Sequence, residues 1–205
     1  MYVATDRDSA SVINVKLKTG LSVVLSPGIY HLEAALELNY ENQVLLGLGL
    51  PVLKATRGNV AVKVGDAGGV RVAGILFEAG IYQSSSLLQW GEKYSETKPS
   101  YSNRPVNPGM LHDIFARVGG PDSNNVAASS MVEIFSSHVI GDNLWLWRAD
   151  HDINGLVIGE KNFCANGMVV HGDDVAMYGL AIEHTLHDML VWNGNRGSVY
   201  FYQSE

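Results

Sequence analysis

Cysteine is nearly absent: the 205 residues hold one, Cys164. No intrachain disulfide can form, so stability must come from a buried core. The thiol is expected to be a small buried hydrophobe, because no activating base stands at a recognisable position near it. Proline is scarce, with six residues, and three of them fall within 91–109. The 14 basic residues form no run and are outnumbered by 21 acidic ones, which argues against a nucleic-acid partner. Long apolar runs are missing too, so no membrane partner is expected. Residues 1–6 have neither a basic n-region nor an apolar h-region, and no signal peptide is expected in this chain. The seven histidines show no zinc spacing, and no EF-hand or nonapeptide calcium repeat occurs.

Glycine is plentiful at 22 residues, and 46% of the chain is hydrophobic. Disorder is excluded as the main state, and one domain covering 1–205 is expected. The breakers are spread evenly. Short strand-like runs at 21–25, 29–32, 35–38, 44–46, 60–64, 70–73 and 75–77 sit between them, which is an all-β pattern. One helix is expected over 5–19, capped by Asp8 or Ser9, with an apolar stripe of Val12, Val15 and Leu17 and a stop at Gly20. It would cover the open end of a stack of strands.

The strands repeat. Aligning Gly172 with Gly194 puts Met177 on Val199, Tyr178 on Tyr200 and Glu183 on Glu205. Residues 64–78 share the layout of 170–183. A period a little above 20 residues, with about three short strands in each, predicts a single-stranded right-handed parallel β-helix, a solenoid with a short N-terminal capping helix. A β-sandwich is the alternative, but it does not require equal spacing. The polar segment 91–109 reads as a long inserted loop, and 119–126 and 151–166 as further excursions that would wall a groove or simply be solvated.

The densest chemistry follows the strand-like run Leu144, Trp145, Leu146 and Trp147. Arg148, Asp150, His151 and Asp152 come directly after it. On a coil of about 22 residues, Asp150 would face Asp173 and Asp174 of the next coil. Paired carboxylates suit glycoside hydrolysis, with one as acid and the other as base or nucleophile. The same Gly-Asp-Asp is also ordinary turn chemistry. A second column of Asp150, Glu183, His184 and Glu205 is the preferred centre. Arg148 and His184 would tune its charges, and His151 would assist. Calcium could sit there through oxygen ligands, though no cofactor is required. Trp145 and Trp147 share a face. Facing outward with Trp192 and Tyr202 they would bind sugar; facing inward they would be core, the expectation for at least one of the pair. His31 and His138 read as packing or turn residues.

Seven segments carry a family likeness: 25–31, 44–50, 111–120, 145–151, 179–184, 192–194 and 199–205. Together they resemble the pectin-lyase-like, right-handed β-helix proteins of secreted polysaccharide-acting systems, which often carry carbohydrate-binding or discoidin-type modules. The resemblance implies an extracellular protein with a polysaccharide or oligosaccharide partner. Related hydrolases use two or three aspartates, and Asp150, Asp173 and Asp174 would match such a set. Chains of this group continue past the position of Glu205, so the last coil is expected to expose an edge, as in a domain truncated at the C-terminus or one that makes an oligomer contact there. Three functions follow: a glycoside hydrolase using paired carboxylates, a non-catalytic carbohydrate-binding module, or a structural solenoid segment.

Overall fold

A computed structural model describes residues 1–93, 104–121, 123–153, 155 and 157–205. Most of the expected loop 91–109 lies outside the described residues. The elements run β1 (Tyr2–Ala4), α1 (Ala10–Leu17), β2 (Val23–Leu25), β3 (Ile29–Leu32), β4 (Leu36–Leu38), β5 (Val44–Gly47), β6 (Val52–Ala55), β7 (Val62–Val64) and β8 (Arg71–Glu78). Then come β9 (Ser84–Trp90), β10 (Gly109–Val118), β11 (Ala128–Ile134), β12 (Val139–Arg148), β13 (Cys164–Val170), β14 (Ala176–Glu183), β15 (Leu190–Trp192) and β16 (Ser198–Ser204).

All the strand pairings are parallel, and they build two sheets. The first runs β1-β2-β5-β8-β10-β12-β14-β16, with β3 beside β6 and β6 beside β8; the second runs β15-β13-β11-β9-β7-β4. From β8 onward the chain visits the sheets alternately, and each return lands one strand further along. We call each such pass a rung. Val23 pairs with Leu45, and Met177 with Val199, each 22 residues on. That is the expected period. Between them the spacing grows wherever a loop is inserted, as in Ile140 pairing with Ala176.

The runs 70–73 and 75–77 are one strand, β8, bent at Gly74, which takes φ +69°. The pairing skips Asp113, Asn143, Gly179 and Phe201 at the same place in later rungs, and each of these also has positive φ. Gly, Asn and Asp tolerate this conformation best, and Asn143 Nδ2 donates to Asp113 Oδ1 at 2.6 Å within the column. Side chains directly after the bend point inward to form the core, while those directly before it, such as His112, Asp142 and Tyr178, are exposed. Ile75, Ile114, Leu144 and Leu180 make one buried column, and Val64, Trp90, Ile134 and Val170 another. Each such burial contributes about 1.5–3 kcal/mol.

The helix is shorter than expected. Asp8 does not cap it: its carboxylate accepts from the Thr5 amide at 2.9 Å and closes the preceding turn, while the Ser9 hydroxyl accepts from Val12 N at 3.4 Å. The buried positions are Ala10, Ile13 and Leu17, whereas Val12 and Val15 are exposed. The stripe therefore follows the i, i+3, i+7 geometry of a helix seated on the sheet edge. Asn14 supplies the contact there: its Nδ2 donates to Ala35 O at 2.7 Å and its Oδ1 accepts from Glu37 N at 2.9 Å. One side chain thereby pairs the edge of β4, while β1 pairs the edge of β2. Among the described residues no helix is long and apolar enough to cross a membrane.

Candidate functional site

The distal half of the first sheet presents two adjacent outward columns. One holds Ile29, Val52, Leu76, Phe115, Trp145, Ala181 and Gln203; the other holds His31, Lys54, Glu78, Arg117, Trp147 and Glu183. Both tryptophans face outward, against the expectation that at least one is core. Inward-pointing Leu144, Leu146 and Arg148 alternate with them and fill the interior instead. The Trp145 and Trp147 rings stack at 5.3 Å, and His151 leans on Trp147 at 4.6 Å, giving a row of three rings. A cavity of about 220 Å³ opens beside them, lined by Leu50, Leu76, Phe115, Ala116, Arg117, Trp145 and Trp147.

Asp150 closes one end of the row. Its Oδ1 accepts from Trp147 Nε1 at 3.3 Å and meets His151 Nδ1 at 2.8 Å. Partial burial works to raise its pKa, but the His151 hydrogen bond and the nearby His151 and His184 charges outweigh it and hold the carboxyl below its ordinary value. An ionised Asp150 suits a base or a stabilising charge, not an acid at neutral pH. Glu183 is half-buried, pairs with Trp147 and lies one rung before Glu205, whose main chain bonds Ile182 and His184. His184 follows Glu183 at φ +61°, with its Nδ1 buried and unpartnered.

The remaining expected residues lie elsewhere. Arg148 is buried and donates to four carbonyls: Asn162 at 3.0 Å, His184 at 3.1 Å, Gly159 at 2.7 Å and Lys161 at 2.8 Å. It pins the segment after β12 rather than tuning the acids. Asp173 and Asp174 do not face Asp150, because the insertion after Asp150 lengthens that rung from 22 to 36 residues, as Gly141 pairing with Met177 shows. They form a turn instead. Asp173 accepts from Asn195 N at 2.8 Å, and Asp174 holds Arg196 at 2.7 and 2.6 Å. Trp192 sits in the second sheet, packed against the core beside Val170. Tyr202 pairs with buried Leu180, in the inward column. Among the described residues no group of three or more His, Cys, Asp or Glu is placed to hold a metal ion, calcium included.

Three residues on this face were not singled out by the sequence: Lys54, Glu78 and Arg117. His31, expected as a packing or turn residue, lies within β3 beside them and faces outward. Arg117 Nε and Nη2 reach Glu78 Oε1 at 2.7 and 2.6 Å. The alignment of 64–78 on 170–183 carried the signal, since it places Glu78 on Glu183. His138 is a turn residue, at φ +54°.

Residues 1–205 match the LAM55 pectate lyase-like domain. The chain belongs to this family. Over its full length it is 37% identical to an exo-beta-1,3-glucanase of Streptomyces sp. SirexAA-E, of which it covers 32%. Two solved structures of sacteLam55A from the same organism, both 35% identical, superpose closely. One gives a TM-score of 0.89 over 99% of this chain and 36% of that one. The other, a single-residue variant in complex with glucose, gives 0.86 over 96% and 34%. The chain thus spans about a third of the length of these relatives.

Proposed function

We propose that this chain carries the sugar-binding face of an extracellular β-1,3-glucan hydrolase. Its rungs are the coils of one right-handed parallel β-helix domain, a solenoid capped by α1. The observation that carries the reading is the outward row Trp145, Trp147 and His151, flanked by Asp150 and Glu183. Aromatic surfaces take the apolar C–H faces of pyranose rings, and carboxylates bind the hydroxyls around them. The likeness to an exo-beta-1,3-glucanase supports glucan as the polymer. In the finer mechanism Glu183 and Glu205 are the pair, on neighbouring rungs about 4.8 Å apart. Their side chains can spread to the separations used in glycoside hydrolysis. One protonates the leaving oxygen, and the other activates water or attacks the sugar. Asp150 stays ionised and stabilises positive charge developing at the sugar.

A second reading, binding without cleavage, is favoured by Asp150 being engaged by Trp147 and His151 and held ionised. The two separate when purified chain is incubated with β-1,3-gluco-oligosaccharides, with binding followed by calorimetry and products by chromatography. Trp147→Ala should abolish binding. Glu183→Gln should bind but release no product. Binding without product from the unaltered chain rules out hydrolysis by this chain alone, and no binding by it overturns both readings.

A further inference from the structure

We infer that the depression crossing β6, β8 and β10 is a second, hydrogen-bonding sugar subsite. The groove then holds a β-1,3-gluco-oligosaccharide laid across the strands, not along one of them. This deepens the proposed function and rests on its reading of Trp145 and Trp147 as a sugar platform. The depression measures about 320 Å³ and is walled by His31, Lys54, Glu78 and Arg117. It adjoins the apolar cavity beside the tryptophans, and Arg117 borders both.

Two features favour a neutral, polyhydroxylated chain as the occupant. The first is chemical alternation. Leu76, Phe115 and Trp145 offer apolar surface, while the next column offers a carboxylate, a guanidinium, an ammonium and an imidazole. A pyranose has this same division between C–H face and hydroxyl rim. Glu78 is engaged with Arg117 through Oε1, which offsets the guanidinium charge and makes the pair a poor cradle for an anion. The pair is also largely buried, so it is ordered before a ligand arrives.

The second feature is dimension. Lys54, Glu78, Arg117, Trp147 and Glu183 are successive partners in the ladder. They span four strand spacings, about 19 Å. One spacing is close to the length of one pyranose unit, so a sugar chain crossing the rungs meets one outward side chain per residue. A tetra- or pentasaccharide reaches from Glu183 to Lys54.

The test is chain-length dependence of binding, measured by calorimetry with β-1,3-linked glucose oligomers from disaccharide to hexasaccharide. Affinity should climb with length and level off at the tetra- or pentasaccharide. Lys54→Met, and separately the neutral pair Glu78→Gln with Arg117→Gln, should weaken the pentasaccharide about tenfold, worth about 1.4 kcal/mol. Lys54→Met should leave the disaccharide unchanged, whereas Trp147→Ala should abolish binding at every length. Circular dichroism confirms that each variant is folded. Length-independent affinity in the unaltered chain overturns the second subsite and leaves the proposed function standing. So does an unchanged pentasaccharide affinity in a folded Lys54→Met variant. Failure of the unaltered chain to bind any oligomer overturns the proposed function, and the subsite with it.

Discussion

Replacing Arg148 with methionine keeps an unbranched apolar stem and removes its fork of donors. Four carbonyls then lose a charged partner. Gly159 and Lys161 are exposed, so water can take over there at little cost. Asn162 is 1% exposed and His184 is half-buried, so water replaces the guanidinium poorly at these two carbonyls. At about 1–3 kcal/mol for each of them the loss is about 2–6 kcal/mol. The unaltered protein already tolerates a cost for enclosing the cation, since burial pushes the Arg148 pKa down, and methionine recovers part of it. We therefore expect about 3 kcal/mol of destabilisation. Chemical denaturation measures it, and limited proteolysis should show cleavage within 151–161 before global unfolding. Arg148→Lys should recover less than half, because an ammonium cannot reach all four acceptors. A loss below about 1 kcal/mol, or full rescue by lysine, would refute the reasoning.

Asn14→Ala removes both bonds to the β4 edge and should cost about 1–2 kcal/mol. Size-exclusion chromatography should also show increased self-association through the bared edge. The Asn195 hydrogen bonds hold the Asp173 carboxyl below its ordinary pKa, and the Arg196 hydrogen bond does the same for Asp174. Their stabilisation is complete above the unfolded-state value of about 3.9 and is lost as pH falls through the depressed folded values. The melting-temperature gap between the unaltered chain and Arg196→Ala should accordingly close below about pH 4; a gap independent of pH contradicts the sign. Burial pushes the Cys164 thiol up to about 12, so a thiol reagent at pH 8 should label it only in denaturant. Rapid labelling of folded protein would show that the core opens there.

Much of the fold is legible because a stack of parallel strands repeats its own constraints. Each rung must place apolar residues at the same inward positions and turn-formers at the same corners. Met177 and Val199, matched in the sequence, are ladder neighbours for this reason, and the matched Val64 and Val170 share one column, three pairings apart. The helix limits were less legible, because Asp8 and Ser9 are both good caps and only packing chose between them. The site is the least legible part. One 22-residue period on from Asp150 lies the turn that holds Asp173 and Asp174, because the insertion after Asp150 displaces the facing rung.

The sequence by itself determined the all-β character, the parallel period and the family, since periodicity, glycine placement and composition are local properties. It also placed Trp145, Trp147, Asp150 and Glu183 close to one another in the chain's logic. Only the tertiary structure decided which way those side chains point. In a strand, inward and outward differ by one residue of register. That register turned both tryptophans outward and sent Arg148 into the core. It also brought Lys54, Glu78 and Arg117, far apart in sequence, onto the same groove.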